Sequence, residues 1–410
     1  MFDLESFTNK FVIKRDRSMF AKDVEANEAL LSEKIAGKSV LVIGGAGSIG
    51  SSFIRSILLF EPAELVIVDT NENALTELTR LLRSIEKFAK RIPDFYFPYP
   101  MDYNSVTFGR MFENHLRKGS DRHGFDIIAN FSAHKHVRSE KDIYSVEALL
   151  RNNVINAKGL LDMLSSDPPE TYFCVSTDKA ANPVNIMGAS KRIMEDLIFA
   201  YSDRFPVKTA RFANVAFSNG SLPAGFLERI NHHQPLSAPS DVKRYFVSPE
   251  ESGQICMLSA MLGDNRDIFF PKLEEAQMTS FDKIAEDLLR SMGYEPDYCD
   301  SDEEAISKAA SFVGGKLYPV YFSKSDTSGE KSFEEFYVEG EKLDMNRYTS
   351  LGVITEKPIT DIGKLEELIN NLDRSFNRQN CKKADIVEIL KEYLPNFEHI
   401  ETGKSLDGKM

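Results

Sequence analysis

Several things are scarce in this chain of 410 residues, and each scarcity closes off a class of protein. There are four cysteines, Cys174, Cys256, Cys299 and Cys381, far apart and with no CxxC pair. That spacing points to reduced cytosolic thiols, not to a disulfide frame or a zinc site. No apolar run approaches the roughly 20 residues of a membrane span. The opening MFDLESFTNKFVIKRDRS is too charged for the apolar stretch of a secretory signal. A soluble, cytoplasmic protein with no membrane partner is expected. Positive charge is also in deficit, with a formal net charge of −13. Nucleic acids and anionic membranes both require a basic face, so neither is an expected partner. A pocket can still be locally positive and take a small polyanion.

What is present is ordinary for a globular enzyme: 42% hydrophobic and 28% charged residues. The length suits one large α/β domain plus a smaller one. Short β-branched runs alternate with helical stretches from residue 38, the pattern of a parallel sheet with crossover helices. Strands are predicted at 38–44, 64–69, 95–102, 125–132, 171–177 and 207–215. The segment 72–88 reads as one amphipathic helix, with Leu75, Leu78, Leu82 and Ile85 on its apolar stripe. After about 215 the rhythm changes to loops, followed by one more strand–helix pair at 267–272 and 280–293. Residues 323–336 read as a polar loop running into a helix start. Two amphipathic helices are expected near 362–376 and 383–393, and a short one around 24–36. No internal repeat or low-complexity tract interrupts the chain.

The stretch VLVIGGAGSIGSSFIRSILL places Gly44, Gly47 and Gly50 between a hydrophobic strand and a helix. Glycines there allow a tight turn and close backbone approach, so that helix amides and the helix dipole meet a pyrophosphate. Asp69 ends the next strand, nineteen residues after Gly50, which completes the dinucleotide-binding context. Its carboxylate can accept both ribose hydroxyls of NAD and would repel the 2′-phosphate of NADP, so NAD is the expected cofactor. Asp102, at the end of the third strand, is a candidate acceptor for the adenine amine, and equally a plain turn former.

Thr177, Asp178 and Lys179 follow the fifth strand. The carboxyl ends of strands in open α/β sheets face the ligand crevice, which makes an acid beside an amine a catalytic candidate there. On an exposed surface the same two residues form a solvated pair. His134 and His136 alternate like metal ligands, but no third ligand accompanies them, and no metal is expected.

Taken in order, GGAGSIG, AHKHV, STDKAANPVNIMGASKR, RFANVAFSNGS and SGEKSFEEF resemble the extended short-chain dehydrogenase/reductases that act as nucleotide-sugar 4,6-dehydratases. The nearest branch is the capsular polysaccharide biosynthesis group, the UDP-N-acetylglucosamine 4,6-dehydratases. The resemblance covers roughly residues 38–340. It implies a Rossmann doubly wound parallel sheet with a smaller sugar-nucleotide-binding lobe, and a homodimer or higher homo-oligomer. The organisation that follows is an N-terminal arm (1–37), an NAD-binding domain (38–215), a substrate lobe interleaved with it (216–345) and a C-terminal helical extension (346–410).

Residue roles follow from the same likeness. The family places a tyrosine four residues before its helical lysine, beside the nicotinamide; here Met187 precedes Lys191. A methionine at this position looks like the branch that retains configuration at C5. Thr177 is implied to bond the sugar O4, Asp178 to assist loss of the C6 hydroxyl, and Lys179 to work at C5. Lys191 is implied to contact the nicotinamide ribose. The cofactor is expected to touch Gly44, Ala46, Gly47, Ser48, Ile49, Gly50, Asp69, Asn71, Asp102, Tyr103, Phe131, Lys191 and Val215. The substrate, a UDP-sugar, is expected at Lys135, Thr177, Asn214, Arg244 and Glu330. The arginine usual in the motif around Glu330 is Thr327 here, and Arg244 and Arg211 are candidates to replace it.

Two other functions share these features. A nucleotide-sugar epimerase, at C5 or C4, begins with the same oxidation, although the C4 route normally employs the missing phenol. A non-catalytic NAD sensor needs the glycine loop and has no use for Asp178 and Lys179.

Overall fold

The computed structural model describes residues 2–117, 119, 121–136, 140–312, 314–325 and 335–400. Its centre is a sheet of nine strands. β1 (Ser39–Ile43), β2 (Glu64–Asp69), β3 (Phe95–Pro100), β4 (Ile127–Asn130), β5 (Thr171–Thr177) and β6 (Val207–Phe212) run parallel in the order β3-β2-β1-β4-β5-β6. The chain thus winds outward from β1 in both directions, and the order reverses between β1 and β4. That switch opens a crevice beyond the strand ends. β1 is buried at every residue, as a strand covered on both faces must be, which explains its unbroken SVLVI.

The sheet is extended by parts of the chain expected elsewhere. Ile268–Pro271 pairs parallel with β6. Leu351–Thr355 pairs antiparallel with Ile268–Pro271, and Lys342–Asp344 antiparallel with Leu351–Thr355. The region after residue 345 therefore begins with a strand of the main sheet before its helices Ile362–Phe376 and Lys383–Tyr393.

The smaller lobe has its own three-stranded parallel sheet, with Leu317–Ser323 between Leu236–Pro239 and Glu295–Tyr298. Its core gathers Phe226, Leu236, Ile284, Leu288 and Val320, and also Phe7, Val12 and Ile13 from the N-terminal arm. Further along, Phe20, Leu31 and Ile35 of the arm enter the core of the main sheet. The arm straps the two lobes together.

The expected helix 72–88 is broken. It runs Glu72–Ser84, and Ile85 turns extended (ψ 114°) before a short turn at Glu86–Ala89. Leu75, Leu78 and Leu82 are buried as expected, but Ile85 is 37% exposed, off the stripe. The run 207–215 is likewise divided: β6 stops at Phe212, and Asn214–Val215 pairs instead with Phe246–Val247. In the arm, Ala21–Ala26 and Glu28–Ile35 form two helices where one was expected. No helix among the described residues is long and apolar enough to cross a membrane.

Candidate active site

A cleft of about 580 Å³ lies along the carboxyl ends of β1, β2, β4, β5 and β6. It begins at the glycine turn. Gly44 has φ +70°, and a Cβ there would come within 2.7 Å of the Ser132 amide nitrogen. At Gly50 a Cβ would lie 2.4 Å from the Gly44 carbonyl oxygen. Both glycines are required by the protein's own packing. Gly47 is different: a Cβ would meet only the Gly44 oxygen, at an ordinary 3.4 Å. The space beside it belongs to the cleft, as does that over Ser48 and Ile49. Gly47 caps the helix Ser48–Leu58 without a side-chain bond, so the first-turn amides keep their donors for an anion. The cradle fits a pyrophosphate. Asn219 of the smaller lobe donates its amide to Ser48 Oγ at 2.9 Å, bringing the two lobes together at this turn.

Asp69 lies at the far edge of the cleft. Its two carboxylate oxygens accept the amides of Ala46 (3.0 Å) and Asn71 (2.9 Å), which fixes the carboxylate while leaving each oxygen lone pairs for ribose hydroxyls. Ala46 acts through that bond and does not itself line the cleft. Asn71 does not line it either: its side chain accepts the Ala74 amide and caps the helix Glu72–Ser84. Asn71, expected to touch the cofactor, has its side chain in this capping role. Asp102, Tyr103, Phe131 and Val215 all line the cleft. Asp102 also accepts the Asn104 amide at 2.8 Å, and the Tyr103 hydroxyl donates to the Asn152 carbonyl at 3.0 Å. Burial pushes the Tyr103 phenol well above its usual range, so it stays a donor.

The candidate catalytic side chains meet where β5 ends. Thr177, Lys179, Met187 and Lys191 all line the cleft, with Met187 and Lys191 one turn apart on the helix Ile186–Ala200. Lys191 Nζ donates to the Val175 carbonyl at 3.1 Å. Burial lowers its pKa, against the opposing pull of Cys174 and Glu195. Asp178 stands behind this row, buried and outside the lining. It accepts from Thr177 Oγ1 at 2.6 Å, from the Lys179 amide at 2.9 Å and from Lys179 Nζ at 3.2 Å. The carboxylate therefore reaches the cleft through the threonine hydroxyl and the Lys179 side chain.

The cleft is also lined by Lys135, whose pKa is lowered by burial, and by Asn214, whose amide donates to the Tyr245 carbonyl at 3.1 Å. Arg244 is buried on the two-residue strand Lys243–Arg244 and does not line the cleft. Arg211 is corrected outright. It is fully buried, with its guanidinium bonded to both oxygens of Glu195 and of Glu341 and to the Phe336 carbonyl, so it holds the core and not a phosphate. Glu330 and Thr327 lie outside the described residues, as does most of the expected loop and helix start at 323–336. His134 and His136 line the cleft, and no group of three or more His, Cys, Asp or Glu suited to a metal occurs among the described residues.

Sequence reasoning passed over Asn152 and Asn153. They lie in a π-helical turn, Arg151–Ile155, that interrupts a longer helix. Asn152 lines the cleft. Asn153 Nδ2 donates to the His134 carbonyl (2.9 Å) and to Ser190 Oγ (3.0 Å), pinning the histidine loop to the reactive helix. Two adjacent asparagines in the middle of a helix were the available signal.

Sheet order, switch point and glycine turn together define a Rossmann-like protein with a second lobe over its strand ends. A family model described as polysaccharide biosynthesis protein matches residues 40–341, and the chain belongs to that family. It is 27% identical to the probable polysaccharide biosynthesis protein EpsC of Bacillus subtilis, over 80% of this chain and 52% of the relative. It is also 27% identical to the capsular polysaccharide biosynthesis protein CapD of Staphylococcus aureus, over 86% and 55%. The chain thus spans about half the length of these two. A UDP-glucose 4-epimerase of Rickettsia prowazekii is 23% identical over 89% of this chain and 97% of its own. Among solved structures, Pen from Bacillus thuringiensis superposes with a TM-score of 0.61 at 18% identity, covering 83% of this chain and 98% of that one. DesIV, a dTDP-glucose 4,6-dehydratase from Streptomyces venezuelae solved with NAD bound, gives 0.52 at 19%, covering 73% and 88%. These likenesses establish the fold.

Proposed function

We propose that this protein is an NAD-dependent nucleotide-sugar 4,6-dehydratase acting on UDP-N-acetylglucosamine or a close relative. The observation that carries this reading is the row at the end of β5: a hydroxyl and two lysines line the cleft, a carboxylate backs them, and a methionine stands where a phenol would. Bound NAD would take hydride from C4 of the sugar and return it to C6. The protein's task is then to move protons, and the groups present balance them. Thr177 Oγ1 takes the 4-hydroxyl proton and passes its own to Asp178, along the 2.6 Å bond between them. Asp178, now an acid, returns that proton through Thr177 Oγ1 to the departing C6 hydroxyl, which leaves as water. Lys179, as the amine, removes the C5 proton and gives it back to the same face, which retains configuration. Lys191 orients the cofactor ribose, and Lys135 and Asn214 hold the sugar nucleotide. The NAD preference is supported by Asp69, whose charge opposes a 2′-phosphate.

A C4-epimerase is the second reading, supported by the likeness to the Rickettsia protein over nearly its whole length. Met187 weighs against it. One experiment separates them. Incubation with UDP-N-acetylglucosamine is expected to give a 4-keto product lighter by one water, with C5 coupling constants unchanged in the fresh NMR spectrum. A product of unchanged mass with C4 inverted means an epimerase. An inverted C5 in the dehydrated product overturns the retaining assignment.

A further inference from the structure

The helix that carries Met187 and Lys191 is buried along almost its whole length, charged residues included. Part of what covers it comes from residues beyond 355. At its start, Glu140 Oε1 accepts the Met187 amide at 2.8 Å. The other oxygen of Glu140 meets His399 Nε2 at 3.4 Å, and its backbone carbonyl accepts Lys383 Nζ at 2.8 Å. One residue further, the Ile400 amide donates to the Val184 carbonyl at 3.0 Å, in the loop that leads from Lys179 to the helix. In mid-helix, Lys357 Nζ bonds Glu195 Oε2 (2.9 Å) and Asp196 Oδ1 (3.1 Å). Glu195 Oε1 in turn accepts Ser176 Oγ at 2.6 Å, one residue before Thr177 on β5.

We propose that the C-terminal extension is a positioning device for the active site: its tail holds Glu140 against the Met187 amide, and so sets the loop 180–185 and the first turn of the reactive helix. Glu140 and His399 are its working residues. Neither lines the cleft, so they act through the elements they hold. Geometry is the right currency here, because a displacement of about 1 Å in a catalytic group can cost on the order of 10²-fold in rate. An acidic side chain on a first-turn amide also suits the positive end of a helix. The inference rests on the dehydratase reading for its kinetic test and is independent of it for its structural one.

The structural test is amide hydrogen exchange over residues 180–188 in the full-length protein, without substrate. Glu140→Ala is expected to speed exchange there, and His399→Ala to do so more weakly. Glu140→Gln keeps a carbonyl oxygen for the Met187 amide and is expected to stay close to the unmodified protein. In turnover, Glu140→Ala should lower kcat by about 10-fold or more, with KM and NAD affinity changed less than about 2-fold. Glu140→Gln should restore most of that loss. Unchanged exchange at 180–188 in both alanine variants overturns the proposal, and so does a glutamine variant as impaired as the alanine. If Glu140→Ala does not fold, His399→Ala alone decides by the same two readouts. Absence of turnover by the unmodified protein on any nucleotide sugar would count against the dehydratase reading, and exchange alone would then judge the positioning device.

Discussion

Met187 is a buried thioether beside a row of groups able to exchange protons, and it can exchange no proton itself. If proton transfer belongs to Thr177, Asp178 and Lys179, its substitution by leucine, similar in volume, should leave at least about half the activity. Lys179→Ala should lower turnover by roughly 10²-fold, the usual contribution of a general acid or base. Steady-state rates of the two variants side by side decide it: equal losses sink the assignment. A different lysine offers a pH test away from the cleft. Lys208 is buried at the start of β6, donating to Thr171 Oγ1 (2.6 Å) and the Ala260 carbonyl (3.1 Å). Burial, with a small push from Lys34, lowers its pKa to about 8, against Asp264 and Asp267. The folded value lies below the unfolded one, so from about pH 8 to 10.5 the unfolded chain holds a proton that the folded chain has shed. Its contribution is lost as pH falls through 8 and is fully present above 10.5. The stability difference between the unmodified protein and Lys208→Met should therefore shift in the unmodified protein's favour across that window, by at most about 3 kcal/mol. Denaturant titrations at pH 7.5 and 10 measure it, and a constant difference refutes it.

At the scale of elements, the glycine turn separates two roles that look alike in the sequence. Gly50→Ala forces a methyl against the Gly44 carbonyl and should destabilise the protein by about 3 kcal/mol, the upper range for overpacking. Gly47→Ala meets no such barrier and has a backbone conformation (φ −68°, ψ 166°) open to alanine. It should change stability by about 1 kcal/mol or less, since only the cap preference is lost. Its methyl enters the space next to the helix amides, so NAD affinity should fall by about 10-fold or more. Thermal unfolding and a calorimetric cofactor titration of both variants check the contrast. If Gly47→Ala binds NAD normally, the pyrophosphate does not sit on this turn.

For the whole molecule, the arm and the extension turn two lobes into one body. Arg15 of the arm bonds both oxygens of Glu251 at 2.6 Å, and that carboxylate, fully buried, also caps its own helix Pro249–Leu262 with Ser248. Arg15→Met leaves the carboxylate buried without its cation and should cost about 3 kcal/mol, the lower range for breaking a buried pair, because the capping bonds remain. Equilibrium unfolding measures the loss, and a change under about 1 kcal/mol would show that the arm is not anchored there. At the other terminus, the extension covers the helix Ile186–Ala200 with the chain's own residues.

The sequence determined whatever depends on neighbours along the chain. Alternating strands and helices, the glycine turn with Asp69 nineteen residues on, and the helices 362–376 and 383–393 are all local patterns, and they fall where expected. The Thr177–Lys179 run and the Met187–Lys191 pair were also legible, because a strand end and a helical turn place them. Tertiary structure alone decided which charges face the cleft and which are neutralised in the core. Arg211 looked available for a phosphate until Glu195 and Glu341, 16 residues before it and 130 after, closed around it. Asn71 is polar and well placed in the sequence, yet the helix it precedes claims its oxygen. Ile85 fits the helical stripe, but the backbone turns out one residue earlier. The role of residues 357–400 is invisible in one dimension. Their partners, Glu140, Val184 and Glu195, lie more than 150 residues away, and burial of a charge is favourable only when distant groups converge on it.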